Sequence, residues 1–232
     1  MKVLIVSDGH GDLAGLDRLE AEIRAADMVL YGGDFAKMHA PETGRPFLER
    51  FAALNDRIFS VTGNCDEPDF RFDLEEYDMN IEGSLSYYGG LMLSGSGGGS
   101  KFTGTSPNER DDEDLVSDLR LVADSVPEGA ESTPALWDNL VIIAHNPPKD
   151  TKLDMIENGI HVGSPLIRGF IERYQPLLVV SGHIHESAAI DRIGDSVLVN
   201  PGSIAEGKYA VAEISGGGKT PFSIASIELK SI

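Results

Sequence analysis

Short aliphatic runs alternating with helical spacings set the pattern of this chain. Val3-Leu4-Ile5-Val6 is an unbroken apolar run of strand length, as expected of a strand covered on both faces. Behind Asp12, placed to cap a helix, Leu16, Leu19 and Ile23 recur at spacings of three and four. That predicts a helix over 13–26 with one apolar face. Met28-Val29-Leu30-Tyr31 predicts a second strand, ending in Gly32-Gly33-Asp34. Phe47, Leu48, Phe51 and Leu54 line one side of a helix over 46–54, and a third strand over 57–62 ends in Gly63-Asn64-Cys65-Asp66. Strands alternating with helices over short loops imply a parallel sheet with right-handed crossovers.

The middle of the chain changes character. Residues 80–94 predict a hairpin turning at Gly89-Gly90. Residues 95–107, rich in Gly, Ser and Thr, predict a flexible insertion. One charged helix is expected over 109–126, with Leu115, Leu119 and Val122 on its buried side, and 127–133 has loop composition. Trp137, just ahead of a strand over 139–144, is expected to pack into a core. A helix over 164–174 and a strand over 177–181 follow, then short strands at 188–193, 196–199, 208–215 and 222–229. No repeat and no long linker divides the chain, so residues 1–232 are expected to form a single domain.

Composition narrows the function. Acidic residues number 38 against 19 Lys+Arg, a formal charge of −19, which argues against a nucleic acid polymer or an anionic membrane as partner. A small phosphate ester remains compatible if metal ions supply local positive charge. The apolar share of 41% is that of a globular chain with a real core. Cys65 is the only cysteine, so no disulfide can form within the chain. No apolar run approaches the ~18 residues of a membrane span, and Asp8 interrupts the first one in a way that fits no signal peptide. A cytoplasmic location is expected.

Nearly every strand of the alternating region ends in a side chain able to bind a metal. The first ends in Asp8-Gly9-His10, the second in Asp34, the third in Asn64, the strand near 140 in His145, and the strand near 180 in His183-Ile184-His185. Ligands of open α/β sheets bind beyond the carboxyl ends of the strands, so seven nitrogen and oxygen ligands from five loops should converge on one edge. His39 and His161 lie in polar loop contexts and are expected at the surface.

These blocks, Asp8-Gly9-His10-Gly11, Gly33-Asp34, Gly63-Asn64-Cys65-Asp66, His145 and Gly182-His183-Ile184-His185, resemble in order those of the calcineurin-like metallophosphoesterases. Asn200-Pro201-Gly202-Ser203 resembles a loop that often follows the last block. The resemblance implies an α/β, four-layer αββα sandwich of two mixed sheets flanked by helices. It implies Asp8, His10 and His185 on one divalent transition metal ion, Asn64, His145 and His183 on a second, and Asp34 bridging. Asp34, Asn64 and His145 are the implied catalytic residues. Donors of this kind suit Mn, Fe, Ni, Co or Zn without choosing among them. Two such ions about 3.5–4 Å apart can activate a hydroxide for in-line attack on phosphorus. Asp12, Asp66 and Asn200 are candidates for orienting the ligand histidines.

Cys65 departs from the family pattern, where many members carry His after the Asn to assist the leaving group. A thiol cannot do an imidazole's work at neutral pH, and relatives with Gly-Asn-Cys-Asp tend toward phosphodiesters with good leaving groups. Cys65 is therefore expected to be a packed side chain. Gly9 inside the first block is expected to give substrate room, and the 95–107 insertion is expected to be a floppy surface loop, its alternative being a lid with Lys101 as an anion contact. The function expected is a dinuclear phosphodiesterase on a small or nucleotide-like substrate. Its alternatives are a phosphomonoesterase and a non-catalytic scaffold, the latter disfavoured by the complete ligand set. Exposed hairpin edges are the candidate surfaces for a homo-oligomer.

Overall fold

The computed structural model describes residues 1–126 and 137–232. Strand β1 (Lys2–Val6) shows why its sequence is apolar without interruption. Val3 and Ile5 face a second sheet, while Leu4 and Val6 face a layer of helices, and all four are fully buried. β1 pairs in parallel with β2 (Met28–Tyr31), which pairs in parallel with β3 (Ile58–Ser60). Helices α1 (Leu13–Ala25), α2 (Gly44–Ala52) and α3 (Phe70–Glu76) cover the outer face through Leu16, Leu19, Phe47, Phe51, Phe70 and Leu74. The Asp12 carboxylate caps α1, accepting the Ala14 N–H at 3.1 Å.

The second sheet is built from β4 (Ser86–Tyr88), β5 (Leu91–Ser96), β8 (Leu140–Ala144), β9 (Leu178–Val180), β10 (Ala189–Ile193) and β11 (Ser196–Asn200). Their spatial order is β10-β11-β9-β8-β5-β4. Its four central strands run parallel and its two edges antiparallel. The hairpin β4–β5 turns at Gly89 and Gly90, both at positive φ, as expected. β12 (Lys208–Gly217) and β13 (Thr220–Ser231) return to the first sheet beside β1, giving the order β13-β12-β1-β2-β3.

Between the sheets Ile5, Leu30, Leu93, Ile143 and Val180 form one apolar layer. Outside the second sheet Ile142, Val179 and Leu198 pack under α4 (Asp112–Ser117), α5 (Arg120–Asp124) and α6 (Pro165–Tyr174), with Trp137 in the same cluster. The molecule is thus the expected four-layer αββα sandwich of two mixed sheets. Each fully buried aliphatic side chain contributes roughly 1.5–3 kcal/mol, whereas exposed ion pairs such as Arg24–Glu20 are worth about 0–1 kcal/mol. The aliphatic layers, not the surface charges, hold the sheets together. Among the described residues no helix is long and apolar enough to cross a membrane.

Three local features depart from the sequence pattern. The helix expected over 109–126 is broken into α4 and α5. The Ser96 hydroxyl donates to the Leu115 carbonyl, the Leu119 N–H turns back to Val116, and Arg110 grips Asp118 between the two pieces. The 95–107 stretch is tied down more than its composition suggests. Its first residues finish β5, and β6 (Gly99–Ser100) pairs in parallel with β7 (Glu109–Arg110). Helix α3 escapes the sequence pattern because its Phe70, Phe72 and Leu74 fall at spacings of two, with Phe72 exposed. The loop expected over 127–133 lies outside the described residues.

Candidate metal centre

The carboxyl ends of β1, β2, β3, β8 and β9 deliver their side chains to one edge of the sandwich. The loops after β1 and β2 are interlocked by backbone hydrogen bonds. Asp8 N–H donates to Gly33 O at 3.0 Å, and Gly9 and His10 N–H both donate to Asp34 O at 3.0 Å. Asp8, His10 and Asp34 within this lock, and His183 after β9, adopt φ of 56°, 46°, 60° and 69°, a left-handed conformation that costs non-glycine residues energy and clusters at functional sites. Gly63 serves close approach, because a Cβ there would overlap Asp34 Oδ1.

All seven ligand-type side chains expected from the sequence meet here. In one group His185 Nε2 lies 3.2 Å from Asp8 Oδ1 and 3.2 Å from His10 Nε2. In the other, Asn64 Oδ1 lies 2.9 Å from His145 Nε2 and 2.6 Å from His183 Nδ1. Asp34 stands between them, with Oδ2 3.7 Å from His10 Nε2 and Oδ1 3.6 Å from His145 Nε2. The floor is dry, since Asp8 and His145 are fully buried and Asp34 is 2% exposed.

This arrangement fits a divalent cation. The Gly32 carbonyl, 2.6 Å from His145 Nδ1, can only accept, so that nitrogen carries a proton and Nε2 is the atom turned toward the oxygens of Asn64 and Asp34. Among the described residues Asp8 Oδ2 is buried without a hydrogen-bond partner, a costly state unless a cation answers it. Burial, reinforced by His145, pushes His183 down to about 4, which keeps its ring neutral and able to donate a lone pair at neutral pH. Burial works to raise Asp8, but the hydrogen bond with His185 and the neighbouring imidazoles win and hold it ionised.

A sequence model for calcineurin-like phosphoesterases matches residues 1–187. The chain belongs to this family. It is a metal-dependent phosphoester hydrolase, and the family uses divalent metals of the kind these donors suit. An uncharacterised protein of Methanocaldococcus jannaschii is 30% identical over 207 residues, covering 87% of this chain and 88% of its own. A crystal structure from Thermus thermophilus shares the fold at a TM-score of 0.66 and 18% identity, covering 90% of this chain and 92% of that one. The phosphopantetheinyl hydrolase of Mycobacterium tuberculosis does so at 0.55 and 14% identity, over 88% and 90%.

Around the centre of this calcineurin-like phosphoesterase several expected helpers do other work. Asp12 only caps α1. The Asp66 carboxylate accepts the N–H groups of Ala36 and Gly63 at 2.7 Å, fixing the Gly63-Asn64 turn rather than a histidine, and burial together with Asp34 raises it to about 7. Asn200 donates to the Gly182 and Ile184 carbonyls, so it shapes the loop carrying His183 and His185 without touching either ring. Gly9 makes room for protein, not substrate, since a Cβ there would collide with Phe47 and lie 2.7 Å from Tyr31 Oη. Tyr31 Oη accepts the Gly9 N–H and donates to Asp34 O, a clasp that the sequence did not reveal.

Cys65 is 7% exposed, its N–H donates to Asp34 Oδ1 at 2.8 Å, and burial beside that carboxylate pushes its thiol up. His39 is exposed, whereas His161 is half-buried against the buried Asp154, 2.7 Å from Oδ1. Lys101 pairs with Asp111 at 2.6 Å. Ser106, unremarked in the sequence, accepts from Asn64 Nδ2 at 3.0 Å and so keeps Asn64 Oδ1 turned toward the two imidazoles. A cleft of about 200 Å³ opens beside Asn64 and His183, between the segments 100–109 and 156–162.

Proposed function

We propose that this phosphoesterase holds two divalent transition metal ions and hydrolyses a small phosphodiester. Asp8, His10 and His185 would hold one ion and Asn64, His145 and His183 the other, with Asp34 shared. The observation that carries this reading is the division of the Asp34 carboxylate, one oxygen turned to each group. When bound, such a pair supplies a hydroxide nucleophile near neutral pH and positive charge against the phosphoryl oxygens. Mn, Fe, Ni, Co and Zn all suit the donor set.

The protein's own part is positioning. We assign Asp34, Asn64 and His145 to the reacting centre because they touch one another at its buried floor. The Cys65 N–H fixes one Asp34 oxygen, and the Gly32 carbonyl holds the His145 Nδ1–H. Cys65 supplies no useful acid, its thiol being pushed up by burial, so leaving groups that depart without a proton are favoured. A diester also brings a single negative charge to a chain of net charge −19, where a monoester brings nearly two.

The test is metal content of the purified protein together with turnover of bis-p-nitrophenyl phosphate and p-nitrophenyl phosphate in Mn²⁺. Near two ions per chain and faster diester turnover are expected, with Asp34→Asn losing about a thousandfold or more. Faster monoester turnover would keep the site and change the substrate class. A metal-free, inactive protein would overturn the reading.

A further inference from the structure

The 200 Å³ cleft has a chemistry of its own. It is lined by Phe102 from one segment and by Ile156 and Val162 from another, together with Ile184, Asn64 and His183. Phe102 is 86% exposed, more than any other large apolar side chain among the described residues. Met155 and Ile160, on the same segment as Ile156 and Val162, are exposed as well. A phenyl ring left in water beside an apolar slot gains free energy only when something covers it.

The cleft's charges exclude one kind of occupant. Lys101 is the only cation among the described residues lining it, and it is already paired with Asp111. Glu109 adds a negative charge, and its carboxylate is held ionised by the N–H groups of Phe102, Gly104, Thr105 and Ser106, which bring it down to about 2. A second phosphate or a carboxylate placed here would meet net negative charge and an apolar wall.

Building on the proposed function, we propose that this cleft seats a neutral, flat ester group of the substrate, an aryl or nucleobase-type ring, against Phe102. The phosphoryl group then lies at the Asn64 and His183 end, and Phe102 is a specificity-determining residue for the ester. Truncating it removes no core packing, because the ring is exposed, so the variant folds.

The experiment compares three inert phosphonates as competitive inhibitors of bis-p-nitrophenyl phosphate hydrolysis: phenyl, methyl and carboxymethyl. In the native protein phenylphosphonate should bind about tenfold more tightly than methylphosphonate, and carboxymethylphosphonate no better than methyl. In Phe102→Ala the phenyl preference should fall to about twofold or less. The KM for the aryl diester should rise more than kcat falls. Equal binding of phenyl and methyl, a preference unchanged in Phe102→Ala, or tightest binding of the carboxymethyl compound would overturn the inference while hydrolysis itself kept the proposed function standing. If no hydrolysis is found, saturation-transfer NMR with diphenyl phosphate decides the cleft separately. Ring contacts seen in the native protein and lost in Phe102→Ala support it, and their absence from the native protein overturns it.

Discussion

Two regions share one edge of this molecule and are held in different ways. The ligand-type side chains sit on short loops joined backbone to backbone, where the ends of β1 and β2 interlock and the dry floor is continuous with the inter-sheet core. The walls of the neighbouring cleft have backbone pairing of their own, β6 with β7 and 154–156 with 160–162, but side chains gather the rest of each loop. Each is gathered by one carboxylate: Glu109 collects four backbone N–H groups of 102–106, and the buried Asp154 collects those of Asp150, Thr151 and Gly163 along with His161. The ligand-type side chains are therefore held by the sheets themselves, while each cleft wall is a loop in which one carboxylate supplements local backbone pairing.

That contrast can be broken most forcefully at Asp154. Asp154→Ala leaves three N–H groups without their acceptor, two of them buried, and removes the partner of His161. It should destabilise the protein by about 3 kcal/mol, read from its urea midpoint. If the regions are independent, the metal content of the folded variant stays at the native level; its loss would make them one unit.

A smaller effect is expected at Glu109. Its folded pKa of about 2 lies below the ordinary 4.5, so its contribution to stability is complete above about pH 4.5 and disappears as pH falls toward 2. Hydrogen exchange at the amides of 102 and 104–106 should accelerate in Glu109→Gln at neutral pH, and KM for an aryl diester should rise a few-fold. Unaltered exchange would show that the wall needs no carboxylate.

The smallest change is predicted inside the metal edge. Cys65→Ser should keep activity within about threefold, since the backbone N–H rather than the thiol holds Asp34. A hundredfold loss with metals still bound would give the sulfur a role in the reaction.

The same contrast decides what could be read before the fold was known. Each ligand-type residue follows a run such as Val3-Leu4-Ile5-Val6 or Val141-Ile142-Ile143-Ala144, and parallel topology then forces those ends together. The seven were legible because period and chemistry coincide at the strand ends. Residues whose work is done through backbone atoms were not. Nothing in the sequence marks Glu109 as the hub of a loop, or Asp66 as a clasp on the Gly63 turn rather than a partner of histidine. The break between α4 and α5 was hidden for a similar reason, since the apolar spacing of Leu115, Leu119 and Val122 continues across it. Tertiary hydrogen bonds from Ser96 and Arg110 override that spacing.

The interlocked strand ends also bear on how the protein comes to be folded. Asp8 accepts the His183 N–H across 175 residues of chain, and His145 reaches Gly32 across 113. No stretch of a few residues contains more than two of the seven side chains, so the centre has no local precursor and a nascent chain cannot assemble it piecemeal. Closing loops of that length is slow and entropically costly. The centre therefore comes into being only once β9 has docked against a sheet begun at the opposite end of the chain.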